Sequence, residues 1–104
     1  MWKEETGDID IAISEAVQKG LDHFGPTFKN VVFHELMNAY HLDSKSISKK
    51  PDLFNEFLDR VFSLGAARVK QAIVQEIAIK FDLPTKQDEN LIGLIHRVRD
   101  GSRQ

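Results

Sequence analysis

Apolar residues fall on helical spacing along most of this chain, and proline and glycine cut the pattern at a few defined points. From Lys50-Pro51-Asp52-Leu53-Phe54, the side chains Phe54, Phe57, Leu58, Val61 and Phe62 recur at the three-and-four spacing of one core-facing helix stripe. Gly65-Ala66 marks a corner, with Gly65 expected as a C-terminal cap or tight turn. Beyond it Val69, Ala72, Ile73, Ile77 and Phe81 share one face, and Val74, Ala78 and Ile79 widen it. Leu83-Pro84 ends that helix, because proline cannot continue the hydrogen-bond ladder. The spacing predicts two amphipathic helices folded back on each other, the second being the most buried of the chain.

A counterpart lies upstream. Ile9, Ile13, Ala16, Val17, Gly20, Leu21 and Phe24 follow helical spacing from Asp8, with Asp8 and Asp10 where a helix start favours negative charge. Gly20 is unfavourable mid-helix by roughly 1 kcal/mol against Ala, and close approach of another helix would explain it. Gly25-Pro26 breaks this helix and opens the next, since proline at the first helical position lacks only a donor that would be unpaired anyway. Phe28, Val31, Val32, Leu36, Ala39 and Tyr40 form its stripe to about His41, and Phe33 and Met37 widen it. Residues 43–50 are a serine- and lysine-rich connection that disfavours a regular helix, with Ile47 as its apolar anchor. A fifth stripe, Leu91, Leu94, Ile95 and Val98, follows a capping-box-like Thr85 and Asp88; Arg97, Arg99 and Gly101 suit its C-terminal end.

The expected fold is therefore all-α: about five helices in two antiparallel hairpins plus a C-terminal helix, in a single domain over residues 1–104, with 1–7 and 101–104 frayed. Shifting the chain by 41 residues lays 9–43 on 50–84 with matched apolar phase: Ile13 on Phe54, Val17 on Leu58, Leu36 on Ile77 and Tyr40 on Phe81.

Leu, Ile, Val and Phe supply a core-forming share of the 104 residues, above the range of disordered chains. With no Cys, disulfides and thiol chemistry are excluded, which fits a reducing cytoplasm. The start Met-Trp-Lys-Glu-Glu lacks the basic-then-apolar pattern of a signal peptide. No run approaches a membrane span. The net charge of −2 argues against strong attraction to nucleic acid or an anionic membrane. It is unevenly spread: residues 1–24 carry two cations and six anions (−4), and residues 44–80 carry seven cations and four anions (+3). These blocks either offset each other within the fold or meet across an interface.

No pattern of catalytic residues, metal ligands or cofactor-binding loops emerges. His34-Glu35 resembles the start of a zinc-protease motif, but Asn38 stands where the second His is needed. His34, Asn38 and His41 share a face. Glu35 and Glu76 match under the 41-residue shift, and an enzyme or ligand binder with an interhelical pocket would place them or His34 in a closed cavity. The six glycines are scattered and form no phosphate loop. A small DNA-binding regulator is a second alternative. Its contacts would be Lys49, Lys50 and Arg68, with Gln71 and Gln75 reading bases if the Gly65 corner were a helix-turn-helix. Lys45, His96, Arg97, Arg99 and Arg103 would add basic surface.

The run Ile47-Ser48-Lys49-Lys50-Pro51-Asp52-Leu53-Phe54, followed by Leu58, Phe62, Gly65-Ala66 and Ile73-Val74, resembles the archaeal signalling module called the Nitrosopumilus output domain. Leu21 and Gly25-Pro26 extend the similarity upstream, so that it spans residues 12–83. The corner departs from the family pattern: Phe62-Ser63-Leu64-Gly65 stands where glycine is expected directly after the Phe. The resemblance implies an archaeal cytoplasmic protein acting as a signalling output domain, with no catalytic residues to carry over. The leading expectation is a non-enzymatic interaction or regulatory module that binds a protein partner or a second copy. Trp2, Phe33, Met37, Val74 and Ala78 are the expected interface, because two helices carry apolar faces wider than one neighbour would cover.

Overall fold

The computed structural model describes residues 5–84 and 90–102. Within them the chain is all-α, with five α-helices: α1 (Glu5–Asp22), α2 (Pro26–Tyr40), α3 (Pro51–Phe62), α4 (Ala66–Phe81) and α5 (Leu91–Ser102). Helix α1 begins three residues ahead of the expected Asp8, and α5 runs one residue past Gly101. The connection after α2 is not irregular. It winds into a 3₁₀ turn over Ser44–Lys49, started by Asp43, whose carboxylate accepts the Ser46 N–H at 2.9 Å. A second 3₁₀ turn, Ser63–Gly65, makes the α3–α4 corner.

Punctuation works as the residues dictate. Pro26 and Pro51 open α2 and α3. Gly25 precedes Pro26 at φ 106°, a backbone that only glycine adopts without strain. Helices α2 and α4 end on left-handed residues 41 positions apart, His41 (φ 53°) and Asp82 (φ 55°). Asn90 starts α5, its side chain accepting the Gly93 N–H at 3.0 Å, as an N-cap does; Thr85 and Asp88 lie outside the described residues.

Helix α4 is the centre. It packs most extensively on α1, and α3 and α5 cover further sides. Ile73 and Ile77 are fully buried, as are Ile13, Val17 and Leu21 on α1, Leu36 on α2, Phe54 and Leu58 on α3, and Leu94 and Ile95 on α5, all in one core cluster. The 41-residue offset persists in burial: Ile13 and Phe54, Val17 and Leu58, and Leu36 and Ile77 are each buried pairs. Gly20 is where α1 meets α4. A Cβ there would stand 2.8 Å from the Ile73 Cα, so the mid-helix glycine answers the expected close approach.

Three expectations need correction. Val74 and Ala78 are buried, because the wide apolar face of α4 is covered by three helices of its own chain rather than by a second molecule. Val61, on the core-facing stripe of α3, is 48% exposed, because the stripe runs on past the helices that cover it. Gly65 is an ordinary right-handed residue, and the corner's unusual backbone falls on Ser63, at φ 47° and ψ −114°. A side chain in such a region costs about 1–3 kcal/mol. Ser63→Gly should therefore raise stability by about 1 kcal/mol, less than the full strain because glycine is freer when unfolded. An unchanged denaturant midpoint would show that Ser63 is unstrained.

Candidate functional site

Two clusters stand out. The first is polar and internal. Asp10 lies three places before Ile13 and seven before Val17, both fully buried, so α1 turns it inward, and its side chain is 8% exposed. Ser48, buried on the 3₁₀ turn, donates its hydroxyl to Asp10 Oδ1. Arg99 of α5 donates from Nη1 to the same oxygen at 2.6 Å and to Ser48 Oγ at 3.3 Å. The Lys49 ammonium lies 3.8 Å from Asp10 Oδ2. One carboxylate thus ties together α1, the 3₁₀ turn and α5, with its charge answered by two cations.

From the sequence, Asp10 reads as a helix-start charge, Lys49 as a nucleic-acid contact and Arg99 as a helix-end residue. The structure instead brings the three together. An available signal was that Asp10, Ile13 and Val17 are spaced as one stripe, a charged residue in apolar phase.

The second cluster is apolar and external. The Phe24 and Phe28 rings lie 5.0 Å apart, and Phe28 stacks on Phe62 at 5.2 Å. These contacts join the start of α2 to the α3–α4 corner. Val31, one turn beyond Phe28, is 55% exposed, and Val61 and Leu64 flank Phe62, with Leu64 at 99%. Together they form a ridge in which the half-buried Phe28 and Phe62 rest on the core and Phe24, Val31, Val61 and Leu64 stand exposed around them, unlike the scattered single residues of an ordinary surface.

Of the expected interface residues, Met37 is exposed and Phe33 is half-buried against the core; Trp2 lies outside the described residues. Lys49, Lys50 and Arg68 are all exposed, and Lys49 additionally faces Asp10. Arg68, Gln71 and Gln75 share an exposed stripe of α4. His34 and Glu35 are exposed, and Asn38 lies 3.0 Å from His34 Nε2. Glu76 pairs with His23 at 2.8 Å, not with a Lys or Arg. Among the described residues, no group of three His, Asp or Glu is placed to hold a metal ion, and no helix is long and apolar enough to cross a membrane. A shallow depression at the end of α4 is lined by Gln75, Ala78, Ile79, Asp82 and Leu83, and none of His34, Glu35 or Glu76 belongs to that lining.

The charge asymmetry is partly offset inside the fold. Besides Lys49 and Asp10, Lys80 reaches Glu15 at 2.7 Å. The Lys80 ammonium, first by its hydrogen bond and then by its charge, holds the Glu15 carboxyl below its ordinary 4.5. The stabilisation from this solvent-exposed pair is present above that value and is lost as pH falls. Compared with known proteins, the chain matches no family model, and neither a curated protein nor a solved structure is significantly similar to it.

Proposed function

We propose that this chain is a non-enzymatic protein-interaction module, with the regulatory output role in archaeal signalling that its resemblance implies. The observation that carries the reading is the apolar ridge from Phe24 through Phe28 and Phe62 to Leu64. Its exposed side chains lie outside a core that is already filled, and at every buried polar side-chain atom among the described residues a hydrogen-bond partner is present. Apolar surface left beside a satisfied interior supports docking of another protein.

The test is the double variant Val31→Glu/Val61→Glu, which places charge in the ridge at two exposed positions and leaves the buried core intact. Immobilised wild-type chain should retain a partner from extract of the source organism, and the variant should retain at least tenfold less while melting at the same temperature. Equal retention by both chains would refute docking through the ridge.

A further inference from the structure

Helix α4 carries an exposed stripe that is complementary to itself. Arg68, Gln71, Gln75, Ile79 and Asp82 recur at spacings of three and four, and all are exposed; such residues lie along one side of a helix. At the N-terminal tip stands Leu64, wholly exposed and carried by the unusual Ser63 backbone. At the opposite end, about 22 Å away at the ordinary helical rise, lies the depression lined by Gln75, Ala78, Ile79, Asp82 and Leu83, with Ile79 72% exposed. A projecting leucine thus occupies one end of the stripe, and at the other lies a hollow of mixed lining whose apolar wall is Ala78, Ile79 and Leu83. Arg68 lies near the leucine and Asp82 on the hollow.

We propose that two copies of this chain pair through α4, antiparallel about a twofold axis that passes between Gln71 and Gln75. In that register residue numbers facing one another sum to 146, so Gln71 meets Gln75 of the second copy. Leu64 meets Asp82 and so drops into the hollow between Ile79 and Leu83. Arg68 falls opposite Ala78, one helical turn from Asp82, within reach of that carboxylate. The twofold repeats each contact, as an isologous interface requires, and the antiparallel helix dipoles favour the pairing. A stripe with one cation balanced by an anion at its far end does not track a phosphate backbone, which needs several cations in line. The stripe and its leucine supply about six residues per copy, against roughly 20–30 a side in a standard interface, so the dimer is a weak one, forming at micromolar or higher concentration. The inference deepens the interaction reading by naming a second copy as one partner; it shares Leu64 with the ridge but uses α4 rather than Val31 and Val61, so the two are separated by variants at those positions.

Because the chain has no Cys, single cysteines report the register directly. Gln71→Cys and Gln75→Cys chains, each otherwise native, should crosslink through a short bis-maleimide when mixed, several-fold more than either alone. Sedimentation should show dimer rising with concentration in wild type and lost in Leu64→Ser, a change at a fully exposed site that leaves the melting temperature in place. A monomer at millimolar concentration overturns the proposal, as does crosslinking of Gln71→Cys to itself as readily as to Gln75→Cys, which would mean another register or parallel pairing. A salt-sensitive shift of duplex DNA lost in Arg68→Ala, without self-association, overturns it in favour of nucleic acid. Absence of a wild-type dimer with ridge-dependent partner retention intact removes this inference alone; equal retention by wild type and Val31→Glu/Val61→Glu with the dimer intact removes only the ridge.

Discussion

Gly20→Ala should lower stability by about 2 kcal/mol, although alanine is the better helix former by about 1 kcal/mol. The added methyl would sit 2.8 Å from the Cα of Ile73 and 3.0 Å from its backbone nitrogen. Those atoms belong to the α4 backbone and cannot turn aside as a side-chain tip could. Relief requires α1 and α4 to move apart, and this is the most extensive helix pairing in the fold. Separation would loosen Ile13, Val17, Leu21 and Ile77 together, because packed interiors transmit strain. For a chain of this size the melting temperature should fall by roughly 10 °C, at about 4–8 °C per kcal/mol. Gly20→Leu places a whole side chain in the same space and should leave the chain unfolded, since total stability is only about 5–15 kcal/mol. Gly93→Ala is the control. Its new Cβ would meet nothing closer than 3.8 Å, so it should be neutral or stabilising by up to about 0.5 kcal/mol. Should Gly20→Ala melt with or above wild type, the close crossing does not exist.

Gly20 also shows what a sequence reveals on its own. A glycine inside an otherwise periodic helix is locally anomalous, and the anomaly points to a neighbour without naming it. Helix existence was legible for the same reason: each stripe repeats within a few residues, and Pro26, Pro51 and Gly25 interrupt it where the chain turns. Information that depends on distant partners was not legible. Asp10 and Arg99 are 89 positions apart, and periodicity relates no such residues. Val61 has the correct phase for the core, yet phase does not say how far a covering helix extends. Val74 and Ala78 have a phase too wide for one neighbour, and the sequence does not count neighbours. The ridge arises from the same gap, because Phe28 and Phe62 read as core stripe on two separate helices, and only the fold stacks them on each other at the edge of the core with Val31, Val61 and Leu64 exposed beside them.

The same Asp10 cluster sets the second large effect. Arg99→Met should cost about 2–4 kcal/mol, near or somewhat below the usual loss for breaking a buried pair. The reason is what remains: a carboxylate 8% exposed, held by the Ser48 hydroxyl and by an ammonium 3.8 Å away. The discount reflects Arg99 itself, which is 27% exposed and so surrenders some hydration in the native pair. Asp10→Asn should be milder, at about 1–2 kcal/mol, because the amide oxygen can still accept from Ser48 and the Arg99 guanidinium, 27% exposed, keeps its access to water. The order of the two single variants therefore separates a buried carboxylate needing its cation from a surface pair, where both losses would be within about 1 kcal/mol. The double variant should lose less than the sum, with a coupling of about 1–2 kcal/mol. Hydrogen exchange adds a spatial readout. The cluster is a polar tie fastening α5 to α1 and the 3₁₀ turn, so α5 amides should lose protection first in Arg99→Met, while α4, gripped by α1 and α3, opens only with the whole fold. Equal stability of Arg99→Met and wild type, or a uniform loss of protection, would show that α5 is held by Leu91, Leu94, Ile95 and Val98 alone.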